Sequence, residues 1–258
     1  MARKVSAAFV CAALVVGGAA AAVGPKPLPK MLRALCGLPY VNGPVVRFRA
    51  PDGAGLVGAV VGPRGGRVGV VLVNTFDGEI CDWVSPFGEE KLINALAAAG
   101  DQVLLFDHRG TGRSPAAPAG RSEAIDLDVV AGAAELRRLG ARRIVLVGGS
   151  RGGVAALVAA AELKPAPAAV VGLSASSFPT GRVNAAAGLK AVGRSRAALL
   201  LVVAKDDVLD YVKSLYAASA SKDKQLLVVP GSAHAYFESD PSGPKVRARI
   251  LSFIGAHT

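Results

Sequence analysis

The stretch Arg143 to Gly153, RIVLVGGSRGG, constrains the fold more than any other part of the chain. A run of strand-forming apolar residues breaks into glycines around one serine and continues as a helix-forming segment. Gly148, Gly149, Ser150, Arg151 and Gly152 make the pattern G-x-S-x-G. A serine lifted from the end of a strand on so sharp a turn takes a strained backbone, and only small residues on either side let strand and helix pack closely. The helix expected from about Arg151 through Glu162 turns its N-terminus and free backbone N–H groups toward the serine, where a negative oxygen would develop. The turn therefore offers a nucleophile and an anion site together. Read without its surroundings, the same pattern also describes a glycine-rich turn that holds a phosphate or serves packing alone.

The surroundings supply a sheet. Apolar runs of strand length lie at Val45 to Arg49, Leu56 to Gly62, Val68 to Asn74, Gln102 to Asp107, Arg143 to Gly149, Ala169 to Ala175, Ala198 to Ala204 and Gln225 to Pro230. The first two are joined by the turn-rich link Pro51 to Gly55, which reads as an antiparallel hairpin. Later links are helical, at Gly88 to Ala99, Ser122 to Leu139, Arg151 to Leu163, Val208 to Ala220 and Pro241 to His257, where apolar residues recur near helical spacing. Such alternation implies an eight-stranded, mostly parallel α/β sheet with right-handed crossovers, helices on both faces and ligands at the carboxyl ends of its strands. With 258 residues, of which 52% are hydrophobic, the chain fills one such domain and leaves no room for a second catalytic one.

An acyl-transfer serine needs a histidine base and a carboxylate to orient it, and on this kind of elbow the chain order is serine, acid, histidine. Of three histidines, His108 precedes the serine and His257 is the next-to-last residue. His234 lies in PGSAH, immediately after the apolar run QLLVVP, where a loop leaves a late strand. For the acid, ALLLVVA runs into Lys205, Asp206 and Asp207. A position about three residues past the last buried one turns back toward an imidazole, which favours Asp207. Asp206 and Asp210 are the alternatives, and any of them also reads as a carboxylate at the start of the next helix.

The elbow at Ser150, the segment DHRGTGRS from Asp107 to Ser114, the AKDD loop and PGSAH together resemble the α/β-hydrolase superfamily over nearly all of residues 45–256. The resemblance implies Ser150 as nucleophile, Asp207 as acid, His234 as base, and the backbone N–H of Arg151 as one oxyanion donor. The second donor should come from the loop after the third strand. Many relatives carry His-Gly there, whereas this chain has Asn74 and Thr75; by register Phe76 supplies the N–H, with Thr75 as its rival. A backbone donor needs no particular side chain, so the departure does not remove the site. Asp107 and His108 read as parts of a structural turn beside the elbow. The side chain of Arg151 is a weaker candidate for contact with an acidic substrate group. Residues 176–197, between the sixth and seventh strands, stand where the superfamily places a lid. They have room for one or two short helices, so a shallow, open site is expected.

Arg3 and Lys4 precede an apolar, alanine-rich stretch from Val5 to Val23, with small residues before Gly24 and Pro25, the pattern of a secretory signal. Its length also allows an uncleaved membrane anchor. Residues 1–24 are accordingly expected to be a leader or anchor, 25–44 an N-terminal extension, and 45–258 the catalytic domain. Two cysteines, Cys36 and Cys81, remain beyond the leader, and in an exported chain they are expected to pair, tying the extension to the loop after the third strand. No C-x-x-C or H-E-x-x-H pattern occurs, and no metal or other cofactor is expected.

The formal charge is +11, or +9 without Arg3 and Lys4. The basic residues are scattered and aromatic residues make up only 5%, so an anionic envelope is a better partner than a nucleic acid. These readings converge on an exported serine hydrolase acting on a small-molecule acyl substrate, most simply an ester. A peptidase or thioesterase of the same fold, and an envelope binding protein without turnover, are the alternatives.

Overall fold

The computed structural model describes residues 28–258, and the leader or anchor expected over residues 1–24 lies outside them. Among the described residues the eight apolar runs form the strands β1 (Val45–Arg49), β2 (Gly55–Val61), β3 (Val68–Val73), β4 (Gln102–Asp107), β5 (Arg143–Gly149), β6 (Ala169–Leu173), β7 (Ala198–Ala204) and β8 (Lys224–Val229). The sheet runs in the order β1-β2-β4-β3-β5-β6-β7-β8. β2 pairs antiparallel with both β1 and β4, and every later pairing is parallel.

The helices are α1 (Leu32–Cys36), α2 (Ile80–Trp83), α3 (Glu90–Ala98), α4 (Ile125–Arg138), α5 (Arg151–Glu162), α6 (Ala185–Val192), α7 (Leu209–Ala218) and α8 (Gly243–His257). The short α1 and α2 carry too few turns to register as a helical period, and the spacing of apolar residues did not reveal them. In the proposed lid one helix forms, α6, capped by Asn184, whose Oδ1 accepts the Ala187 N–H at 2.8 Å. Among the described residues no helix is long and apolar enough to cross a membrane.

Successive residues of a strand point to opposite faces, and here each face is covered. Val70, Leu72, Val145 and Val147 pack with Ile93 of α3 and with Ile250 and Phe253 of α8. Val71, Val73, Ile144 and Leu146 pack with Val129 of α4, Val154 of α5 and Leu215 of α7. Strands buried on both faces read as continuous apolar runs, which is why the sequence showed them so plainly.

β3 lies between β4 and β5, so the chain leaves β3 toward one side of the sheet and returns to build β5 on the other. That reversal opens a crevice at the carboxyl ends of β3 and β5. Ser150 follows β5 directly, and the loop from Asn74 follows β3. Cys36 of α1 is bonded to Cys81 of α2, which ties the N-terminal segment to the element that ends this loop.

Candidate active site

Ser150 sits at φ 51° and ψ −123°, a left-handed conformation costly for any residue with a side chain. The surrounding glycines explain how the chain holds it there. A Cβ on Gly148 would stand 2.4 Å from the Gly152 carbonyl oxygen, and one on Gly152 would stand 2.0 Å from that of Asn74. The elbow therefore presses against both its own helix and the loop after β3. Its backbone is tied in place by the Ser150 N–H, which donates to the Leu173 carbonyl at 2.9 Å, and by the Ser150 carbonyl, which accepts from Gly153 at 2.9 Å and Ser176 at 3.2 Å.

The structure brings Ser150, His234 and Asp207 together. Ser150 Oγ is 2.9 Å from His234 Nε2, and His234 Nδ1 is 2.9 and 3.1 Å from the two carboxylate oxygens of Asp207. With Nδ1–H donating to Asp207, the neutral imidazole presents Nε2 as an acceptor for the serine proton. The His234 side chain is 42% exposed and that of Asp207 10%, so the pair opens to solvent on the imidazole side alone. Among the described residues the carboxylates of Asp206 and Asp210 make no hydrogen bond; Asp210 lies in the first turn of α7.

The loop bearing His234 is braced from beneath. Ala235 adopts φ 65°, the Tyr236 N–H donates to the His234 carbonyl at 2.7 Å, and the Phe237 N–H donates to Glu89 Oε1 at 2.7 Å. Glu89 is fully buried at the start of α3, and burial pushes its carboxyl up to about 7 against the opposing pull of the Phe237 amide. Tyr236 packs edge-on to Trp83 of α2, with ring centres 5.2 Å apart.

The loop after β3 is held by Asn74, whose buried side chain donates to the Phe106 carbonyl at 2.7 Å. Asn74 thus has a structural use at the position where the resemblance leads one to expect histidine. Among the described residues the N–H groups of Arg151 and Phe76 donate to no protein acceptor, and both are free for a ligand oxygen. The Thr75 N–H is equally free, so hydrogen bonding leaves the second donor open between Thr75 and Phe76.

The side chain of Arg151 is engaged within the chain. It is buried, ion-paired with Glu123, and its guanidinium carbon lies 5.1 Å from the ring centre of Phe76 and 5.8 Å from that of Phe178. Its charge is already paired with the half-exposed Glu123 and its guanidinium lies against two rings, while among the described residues its Nε has no partner. Glu123, Phe178 and Ser176, whose Oγ lies 3.3 Å from Ser150 Oγ, had no signature in the sequence. The only available signal for Ser176 was its place just past the carboxyl end of β6.

The segment DHRGTGRS forms a structural clasp, as its charged and glycine-rich composition indicated. Asp107 accepts the N–H groups of Ile80 at 2.7 Å and Arg113 at 2.8 Å, and burial pushes its carboxyl up. Arg109 is bound to Asp52 and Asp128, and Ser114 Oγ accepts the Val57 N–H and donates to the Asp107 carbonyl. The His108 ring lies 3.4 Å from the Asn74 carbonyl oxygen and 3.5 Å from Asp128, inside the clasp. Among the described residues no three His, Cys, Asp or Glu side chains gather as a metal site.

A family model for the alpha/beta hydrolase fold matches residues 70–197, from within β3 to the residue before β7. Among solved structures, the chain is similar to an esterase from Pyrococcus furiosus, with TM-score 0.70 and 17% identity over 90% of this chain and 95% of that one. A monoacylglycerol lipase from Paleococcus ferrophilus gives TM-score 0.64 and 21% identity over 79% and 99%. A dienelactone hydrolase from Anabaena variabilis gives 0.65 and 19% over 85% and 99%. No curated protein matches the sequence.

Proposed function

We propose that this chain, which belongs to the α/β-hydrolase superfamily, is a serine hydrolase that cleaves a carboxylic ester through an acyl-enzyme. The observation that carries this reading is the unbroken hydrogen-bonded path from Ser150 through His234 to Asp207, beginning at a strained serine. Strain at a solvent-facing nucleophile is costly for stability and useful for attack.

In the proposed reaction Ser150 Oγ attacks the ester carbonyl while its proton passes to His234 Nε2. Asp207 holds the imidazole in the required tautomer and stabilises the imidazolium. The N–H groups of Arg151 and Phe76 receive the carbonyl oxygen as it becomes negative. Collapse of the tetrahedral intermediate breaks the bond to the alcohol oxygen, which takes the proton from His234 and leaves. Water then attacks the acyl-enzyme, giving its proton to His234, and the carboxylic acid departs as Ser150 regains its proton.

The bond between Cys36 and Cys81 supports an oxidising compartment, in keeping with export directed by the N-terminal stretch. The formal charge of +11 supports attraction to an anionic envelope surface.

Labelling of the full chain with a fluorophosphonate probe tests the proposal. One adduct on Ser150, absent in Ser150→Ala and His234→Ala, is the expected result. A folded parent that stays unlabelled overturns it in favour of a binding protein without turnover.

A further inference from the structure

Phe76 and Phe178 are 46% and 50% exposed, which is unusual for rings that are nonetheless fixed in place. They meet edge to face with centres 4.9 Å apart. Both lie against the buried guanidinium of Arg151, and Glu123 neutralises that charge from the segment leading into α4. Phe178 is further anchored through its carbonyl, which accepts the Ala185 N–H at 3.2 Å where α6 begins. The pair therefore stands on the guanidinium of Arg151 as a preformed apolar wall, with Phe76 following Thr75 in the oxyanion loop and Phe178 two residues past Ser176.

The ion pair beneath the rings and the histidine loop are anchored on opposite faces of the sheet. Ala233, Tyr236 and Phe237 of the histidine loop pack with the core under α3 and α8. Glu123 and Arg151 stand at the beginnings of α4 and α5, whose apolar sides pack in the other core. During acylation His234 must deliver its proton to the leaving alcohol, so that alcohol lies on the imidazole side. The acyl portion of the same ester, on the other side of the carbonyl, extends over the phenylalanines.

Resting on the serine-hydrolase reading, we propose that Phe76 and Phe178 form the acyl-side recognition surface and that the enzyme selects esters of aromatic carboxylic acids. Two half-exposed rings in edge-to-face contact present a flat face on which an aryl group stacks, a preference beyond simple apolar burial. The connecting segment contributes the single eight-residue helix α6 and leaves each ring about half exposed, which suits a planar group better than a long alkyl chain that needs enclosure.

The test compares kcat/KM for benzoyl and acetyl esters of one alcohol, in the full chain and in Phe178→Ala, Phe178→Leu and Phe178→Tyr. The parent is expected to favour the benzoyl ester. Phe178→Ala should lower the benzoyl-to-acetyl ratio about tenfold, Phe178→Leu should lower it by a smaller factor, and Phe178→Tyr should hold it within about twofold. A ratio unchanged in Phe178→Ala, or fully retained by leucine, overturns the proposal. So does a change confined to a second series in which the acyl group is fixed and the alcohol varied. Fluorophosphonate labelling of every variant separates the two levels of failure. A labelled enzyme with an unmoved ratio removes the acyl-side assignment alone, and a folded parent that neither labels nor hydrolyses either ester removes both readings.

Discussion

Two polar networks at the carboxyl end of the sheet use similar groups to opposite ends. In the clasp, the Arg109 side chain is fully buried, and its donors are engaged by Asp128 at 2.9 Å, by Asp52 at 2.6 and 3.1 Å and by the Arg121 carbonyl at 3.0 Å. Hydrogen bonds from Arg109 hold the Asp52 carboxyl below its ordinary range. Around Ser150, the imidazole is 42% exposed, the serine backbone is strained, and the serine is only partly buried. A guanidinium with every donor spent has nothing left for a substrate. A network with an open end and local strain contributes little to stability but is ready for chemistry.

The largest effect expected from that contrast is on turnover. Ser150→Ala should lower kcat/KM by about 10³-fold or more, while its melting temperature stays within roughly 2 °C of the parent. A steep loss of stability in that variant would mean that the triad also braces the fold, and the contrast would fail. In the clasp the expectation reverses. Arg109→Met leaves two carboxylates without their cation, at a cost of about 3–5 kcal/mol and roughly 6–20 °C in melting temperature. Below its melting point the variant should still label at Ser150; a stable but inactive Arg109→Met would assign the clasp a catalytic share.

Removing the covalent tie should matter somewhat less. Cys36 and Cys81 are 45 residues apart in sequence, and Cys81→Ser should destabilise by about 2–4 kcal/mol, chiefly through the freed unfolded chain. Chemical denaturation with and without reductant checks this: reductant should lower the parent toward the variant and leave the variant unmoved.

Glu89 offers the smallest and most discriminating test, being buried like Arg109 yet set beneath the loop of His234. Its carboxyl is raised from 4.5 to about 7 in the folded protein. As pH rises from 4.5 the unfolded chain ionises first, so folded stability falls, and the cost is complete above about 7. Glu89→Gln keeps an acceptor for the Phe237 N–H and removes the ionisation. Its advantage in urea denaturation should grow from near zero at pH 4.5 to about 1–3 kcal/mol at pH 8. An advantage that does not vary with pH would show that the gain has another source.

Strands and elbow were legible because their signals are local. β3, β5 and β7 are continuous apolar runs, and the glycines at 148 and 152 stand where the structure has no space for a Cβ. Boundaries slipped where a single backbone angle intervened. β6 stops at Leu173 because Ser174 turns to φ 47°, although Ala175 continues the apolar pattern. Asp206 and Asp207 share a loop, Asp210 lies just beyond it in the first turn of α7, and all three are one chemical type, so residue types alone could rank but not choose among them.

What the sequence by itself determined is the layered sheet, the site at the carboxyl ends of its strands, and the serine and histidine that meet there, since each depends on spacing over a few residues. Only the tertiary structure decided that Asp207 is the carboxylate turned to the imidazole, that Arg151 spends its charge on Glu123, and that Phe76 and Phe178 close on each other beside the nucleophile. The physical reason is separation along the chain. These partners lie on different loops, and short-range periodicity carries no record of how two loops converge once helices of given length have packed on the sheet between them.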